Sequence, residues 1–187
     1  MNEDNKLIER TLRGEKRAFE MIIQKYQQPL FNYIGRLVGQ RELALDFTQE
    51  VFIKTYASLS SFNPRYKFRT WLFKIASNLI IDYWRKKKIK AFSLDLPLES
   101  GQRPMAGEVP DREPSIAKKF ELAQLRERIL TTLEKIPPLL RELFVLRHVN
   151  DFTYEEIAEI KNLPVGTVKN KVFQAKELIR QLLRERI

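Results

Sequence analysis

Apolar residues recur at spacings of three and four along most of the chain, the period of helices that each bury one face. Leu7, Ile8 and Leu12 mark a short first helix, capped at Asp4 or Asn5 and ended by Gly14. Phe19, Ile22, Ile23, Tyr26, Leu30, Tyr33, Ile34 and Leu37 mark a longer one from about Lys16 to Val38, with Gly39 as its stop. Pro29 predicts a kink or local break inside it. A third helix, from about Glu42 to Leu59, carries two faces. Leu45, Phe52, Tyr56 and Leu59 make the packed one, while Asp46, Gln49, Glu50 and Ile53 make an acidic stripe with one apolar residue. Ser60–Tyr66 is a loop that turns at Asn63-Pro64. In the next helix, Lys67–Lys88, Phe68, Leu72, Ile75, Leu79 and Tyr83 share a core face, and Lys74, Asn78 and Arg85 share another with Trp71 at its edge. Phe73, Ile80 and Trp84 form a further apolar stripe with no partner beyond the neighbouring helices.

Residues 89–117 break the pattern. They hold four of the nine prolines and two of the six glycines with no sustained helical period, the composition of a semi-extended linker. Helices resume near Ala117 through Phe120, Leu122, Leu125, Ile129 and Leu133, and Pro137-Pro138 start another that packs through Leu140, Leu143, Phe144 and Leu146. Thr153-Tyr154-Glu155-Glu156 is a capping box for a short helix ending near Ile160, followed by a turn at Lys161–Pro164. A last helix runs from about Val165 to Leu183, with Val168, Val172, Ala175, Ile179 and Leu182 as its buried seam. The expected fold is all-α: two small helical domains, 1–88 and 118–187, joined by a flexible acidic linker, 89–117.

Charge adds the first functional constraint. The 187 residues carry a net charge of +10, which points to a polyanionic partner. Residues 1–88 contribute 17 basic and 9 acidic groups, 89–117 contribute 3 and 5, and 118–187 contribute 14 and 10, so two basic blocks flank an acidic connector. No cysteine is present and His148 is the only histidine, which sets aside thiol chemistry, disulfides and the usual zinc sites. Scattered carboxylates offer no nucleophile–base set, and no glycine-rich phosphate loop occurs, so neither an enzyme nor a cofactor is expected. No stretch approaches eighteen uninterrupted apolar residues and the start lacks a signal-peptide pattern, so a cytoplasmic protein is expected.

The short capped helix, the turn and the longer basic helix have a helix-turn-helix outline, whose second helix enters the major groove. Opposite the seam project Lys169, Asn170, Phe173 and Glu177. Phe173 suits a thymine methyl or sugar edge, Asn170 and Gln174 suit adenine, and Lys169, Lys171 and Lys176 suit phosphates or guanine. In the first block Trp71, Lys74, Asn78 and Arg85 stand with the loop aromatics Phe62 and Tyr66, a set that suits unstacked bases. The alternative is that Trp71 and Phe62 are core, evenly balanced for Trp71, while Phe68 and Leu72 are core outright. Arg85, Lys86, Lys87 and Lys88 make a phosphate-facing end.

The runs Ala44–Lys54 (ALDFTQEVFIK), Lys67–Asp82 (KFRTWLFKIASNLIID) and Leu163–Lys176 (LPVGTVKNKVFQAK), in this order and spacing, resemble extracytoplasmic-function sigma factors, the small two-domain group of the sigma-70 family. The resemblance implies region two at 1–88, region four at 118–187, and a detachable initiation subunit of bacterial RNA polymerase for a stress or envelope regulon. It implies that Asp46, Gln49, Glu50 and Ile53 dock on the polymerase clamp helices. It assigns the minus-ten element to Lys54, Ser61, Phe62, Phe68, Trp71, Lys74, Asn78, Arg85, Lys86 and Lys87, and the minus-thirty-five element to Thr167, Lys169, Asn170, Lys171, Phe173, Gln174 and Lys176. The connector is implied to thread toward the polymerase active-site and RNA-exit channels, and an anti-sigma factor to be a possible partner. The family usually has arginines where this chain has Lys171 and Lys176, and often where it has Gln174, which changes the expected minus-thirty-five sequence. A free-standing helix-turn-helix regulator is the alternative; it would dimerise and bind duplex operators without polymerase.

Overall fold

The computed structural model describes residues 2–94 and 131–184, excluding the side chains of 88–94. Among the described residues the regular structure is helical: α1 Glu3–Leu12, α2 Lys16–Val38, α3 Arg41–Ser58, a 3-10 turn Leu59–Ser61, α4 Phe68–Leu94, α5 Pro138–His148, α6 Tyr154–Lys161 and α7 Val165–Arg184. Residues 131–134, just ahead of α5, are also helical. The stretch expected to be a flexible linker lies outside the described residues from 95 on, whereas 89–94 continue α4. Of the apolar residues expected between Ala117 and Leu133, only Leu133 is described, and it is buried.

Asp4 and Asn5 are not caps. Asn2 occupies the cap position and Asp4 sits buried in the first turn of α1. There it accepts hydrogen bonds from the Tyr26 hydroxyl at 2.7 Å and from Lys25 Nζ at 2.6 Å, which fastens α1 to α2. Burial, and then the bond to Asp4, hold the Tyr26 hydroxyl well above its ordinary pKa. Helix α2 runs unbroken through Pro29 and ends on Gly39, whose φ of +74° is the left-handed conformation that glycine adopts without strain. A second constraint acts on Gly39: a Cβ there would lie 3.3 Å from Glu134 Oε1.

The buried face of α3 differs from the expected one. Phe52 and Leu59 are buried as expected, but Leu45 and Tyr56 are exposed, and Ala44, Thr48, Val51 and Thr55 face the core in their place. Two threonines can be buried because each hydroxyl bonds the carbonyl four residues back, Thr48 to Ala44 and Thr55 to Val51. The small residues bring α3 close to its neighbours, and the longer side chains of Leu45 and Tyr56 turn outward.

Helix α4 is buried on more than one side. Phe68 and Leu72 are core as expected, but Phe73, Ala76, Ser77 and Ile80 are also fully buried, whereas Ile75, Leu79 and Tyr83 are half-buried. The stripe without an evident partner thus has one: Phe73 packs between Tyr33 of α2, ring centres 5.1 Å apart, and Phe152 of the α5–α6 loop, 4.9 Å apart. Through these contacts the buried side chains of both halves form one continuous core.

Helix α5 starts with Pro138 at a position where no amide donor is needed. The capping box of α6 is complete: the Glu156 amide donates to Thr153 Oγ1 at 3.2 Å, and the Thr153 amide donates to Glu156 Oε2 at 2.8 Å. Asn162 ends α6 in the left-handed conformation, with φ +53°. Replacing Thr153 with alanine removes the side-chain half of the cap and should cost about 1 kcal/mol. A urea titration followed by far-UV circular dichroism reads this as a lower midpoint with native helix content unchanged.

Candidate nucleic-acid interface

A cleft of about 450 Å³ opens beside the start of α4, lined by Ser61, Phe62, Asn63, Tyr66, Thr70, Trp71 and Lys74, and on its other side by Glu159 and Asn162. Local hydrogen bonds shape the loop. Ser61 Oγ donates to the Ser58 carbonyl at 2.6 Å, and the Arg65 amide donates to Asn63 Oδ1 at 3.0 Å, a side-chain turn ahead of Pro64. Behind the loop Phe62, Phe68 and Trp71 form an aromatic triangle with ring centres 5.2 to 5.8 Å apart.

The triangle sets two of the residues assigned to the minus-ten element inside the core. Phe68 is 1% exposed and Phe62 8% exposed, so both act as core, with Phe62 bordering the cleft from below. Trp71 is half-buried and lines the cleft, and Tyr66 at its rim is exposed. Lys74 lines the cleft. Asn78 is exposed one turn further along α4 and is not part of the cleft wall. Arg85 and Lys86 are exposed and Lys87 half-buried; Arg85 is held by Asp82 at 2.9 Å, and Lys54 by Glu50 at 3.3 Å. Thr70, Glu159 and Asn162 carried no sequence signal for this place. Thr70 is buried and its hydroxyl has no hydrogen-bond partner. The other two come from a segment some ninety residues downstream.

On α3, Asp46, Gln49 and Ile53 project into solvent beside the exposed Leu45 and Tyr56, with Glu50 half-buried. The apolar share of this face is therefore larger than the periodicity indicated. Acidic and amide groups around exposed apolar side chains suit a protein surface better than a phosphate backbone.

Helices α6 and α7 with their turn form a helix-turn-helix. Val168, Val172, Ala175 and Ile179 are buried as expected, with Leu182 half-buried. Lys169, Asn170, Phe173, Gln174 and Lys176 are exposed, and Thr167 and Lys171 half-buried. Phe173 is 65% exposed, so it does not pack on the preceding helix. Lys169 Nζ and the Arg147 guanidinium lie 5.7 and 4.7 Å from the centre of the Tyr154 ring, adding two cations beside the same helix start. His148 stacks on Phe144 at 4.7 Å, and burial, then Arg147 and Lys176, lower its pKa.

A helical unit with an aromatic-walled cleft, followed by a helix-turn-helix with an uncovered reading face, defines a DNA-recognition protein of two parts. Sigma-70 region 2 matches residues 22–89 and Sigma-70 region 4 matches residues 126–179. The RNA polymerase sigma-H factor of Pseudomonas aeruginosa is 34% identical over 185 residues, 97% of this chain and 94% of that protein. The sigma factor SigW of Bacillus subtilis is 33% identical over 96% of each chain. The chain belongs to the sigma-70 family, in its extracytoplasmic-function branch. Two solved structures share the fold: CnrH in complex with the cytosolic domain of CnrY (TM-score 0.72, 23% identity, 98% of this chain and 99% of that one), and RpoE of Bartonella quintana in complex with the anti-sigma factor NepR (TM-score 0.71, 21% identity, 90% and 98%).

Burial separates residues that hold the cleft from residues free to act in it. Phe68→Ala should lower unfolding free energy by about 3–5 kcal/mol, whereas Lys74→Ala should change it by no more than about 0.5 kcal/mol. Chemical denaturation of the two variants checks this directly.

Proposed function

We propose that this sigma factor divides promoter recognition and opening among three surfaces. The outward face of α3, with Leu45, Asp46, Gln49 and Ile53, binds the clamp of core RNA polymerase. The cleft beside α4 takes an extruded base of the minus-ten element: Trp71 supplies the stacking surface, Lys74 a phosphate or base contact, and Asn78 an amide for a base edge further along the strand. Stacking of about 1–3 kcal/mol per base offsets the few kcal/mol of unstacking. Arg85, Lys86 and Lys87 continue the cationic track along α4.

Helix α7 reads the minus-thirty-five element through Lys169, Asn170, Phe173 and Gln174, with Thr167, Lys171 and Lys176 on flanking phosphates. The observation that carries the reading is Phe173: a large aromatic ring left uncovered opposite a fully buried seam, between an exposed asparagine and an exposed glutamine. Each contact set is small, and polymerase makes the two specific together by holding them at fixed spacing, which raises the effective concentration of the second contact. The protein performs no catalysis of its own and acts in the cytoplasm, on a stress or envelope regulon, with an anti-sigma factor as a further partner.

Run-off transcription with core polymerase on a promoter pool tests this function. The protein should confer specific initiation, and tight sequence-specific duplex binding with no polymerase association would overturn the reading in favour of a free-standing regulator. The surfaces separate by substitution: Asn78→Ala should lose promoter opening while keeping polymerase binding, and Asp46→Ala with Gln49→Ala should lose polymerase binding first. Equal loss of polymerase binding in both variants would refute the assignment of faces.

A further inference from the structure

The halves meet along α4 and α6, and they do not meet evenly. At one end of the contact Lys67 pairs with Glu156 at 2.7 Å. At the other, Lys161, ion-paired with Glu142 at 2.5 Å, donates from Nζ to Ser77 Oγ at 2.8 Å. The cleft residues Thr70, Trp71 and Lys74 of α4, and Glu159 of α6, fall between these two ties in sequence. There the helices part around the open space of about 450 Å³, and the ties on either side fix both walls before anything enters. Small-molecule sites commonly enclose roughly 300–1,000 Å³. The walls differ in chemistry: Trp71 and Tyr66 present aromatic surface and Lys74 a cation, and on the other side stand the Glu159 carboxylate and the Asn162 amide.

Two features distinguish this space from a packing gap. Lys74 and Glu159 carry opposite charges in one cleft, yet among the described residues neither has an ion-pair or hydrogen-bond partner, each other included. Thr70, 3% exposed and one turn before Lys74 on α4, lines the same cleft, and its buried hydroxyl has no partner in the protein. A buried hydroxyl is costly to leave unpaired. Opposite charges held apart beside an aromatic wall fit an occupant that is flat and apolar in its body, anionic at one end and supplied with N–H donors at the other.

Nucleotides have this form, and the carboxylate selects among them. An ionised glutamate accepts hydrogen bonds and donates none. Guanine offers it two adjacent donors, N1–H and the N2 amino group, for a charge-assisted bidentate bond. Adenine turns an acceptor, its N1, toward the same place. We propose that the cleft is a composite binding site for a guanine nucleotide: the base lies on Trp71, Glu159 accepts from N1–H and N2–H, Asn162 donates to O6, and Lys74 holds the phosphate beside the Thr70 hydroxyl. Neither half contains the site alone, since Trp71 and Lys74 come from α4, and Glu159 and Asn162 from α6 and its C-terminal end. The site shares Trp71 and Lys74 with the base cleft proposed above but does not rest on that reading, because a free nucleotide needs neither promoter nor polymerase.

The chain has two tryptophans, so Trp84→Phe leaves Trp71 as the only indole, and its fluorescence reports stacking in the full-length protein. Titration with GDP should quench it saturably, and inorganic phosphate should leave it unchanged. GDP should bind about tenfold or more tighter than ADP or CDP, which carry the same charge on a different base. Glu159→Gln keeps the shape of the side chain and removes its charge. It should weaken GDP about tenfold and leave ADP nearly unaffected, a pattern that loose association with the basic surface of α7 would not give. Lys74→Gln should weaken GDP and ADP alike. Neither substitution touches a buried side chain, so thermal melts should match the parent protein. Calorimetry on the chain with both tryptophans repeats the comparison without relying on Trp84→Phe. Absence of both quenching and heat at millimolar GDP overturns the site. Equal affinity for GDP and ADP, or a GDP affinity unchanged by Glu159→Gln, overturns the assignment to guanine.

Discussion

The burial of α4 on more than one side is the constraint on which the rest of the molecule depends. Phe68 and Leu72 tie it to the first helices, while Phe73 and Ser77 reach both α2 and region 4. A helix occupied in this way has a narrow strip left for anything else, and on α4 that strip carries Trp71, Lys74 and Asn78. The nearby loop is fixed by the same packing, since Phe62 is inserted against Phe68 and Trp71. The chemistry of the cleft is thus positioned by core residues directly beneath it. Loss of a core ring here costs both stability and the shape of the site.

Much of this was legible in the sequence because it is local. Helical spacing located every described helix; Gly39 and the Thr153–Glu156 box marked ends whose backbone conformations the structure shows. The first four of the five seam positions of α7, Val168, Val172, Ala175 and Ile179, followed from period alone. Where the reading failed, the cause was tertiary. On α3 the rule that large apolar side chains face inward gave way to close packing of Ala44, Thr48 and Thr55, whose hydroxyls are satisfied within the helix. The end of α4 was set six residues early, because a run of lysines resembles a helix terminus as closely as it resembles a charged helical face. Phe62, in the loop ahead of α4, has the composition of a base-stacking residue and the burial of a core one, and no helical period reaches it to distinguish the two, whereas period alone put Phe68 in the core.

The contacts between the halves were not legible at all. Tyr33 to Glu142 spans 109 residues and Lys161 to Ser77 spans 84, and neither end carries a local pattern that names the other. Once seen, the chemistry is informative about how firmly the halves join. Apolar rings such as Phe73 and Phe152 favour docking through burial, yet the centre of the contact is an ion pair whose desolvation opposes it. The Tyr33 hydroxyl, raised well above its ordinary pKa by burial and then by the Glu142 charge, stays protonated and so remains a donor throughout the physiological range. The contact is thus matched in geometry, each buried charge meeting a donor or acceptor from the other half.

The same distinction between shape and charge applies to the reading helix. The cations at Lys171 and Lys176 are lysines, and lysine acts as a point charge without the planar fork by which arginine fixes a guanine edge. On the function proposed above, specific contacts on α7 fall to Asn170, Gln174 and the uncovered ring of Phe173, with the lysines contributing affinity that salt screens. Amides and an aromatic edge favour adenine and thymine over guanine. Because the cations discriminate little between sequences, on that reading this helix gains much of its selectivity from the second contact at the cleft. Weak reading by α7 is then one aspect of a wider requirement, that neither half alone commits the protein to DNA.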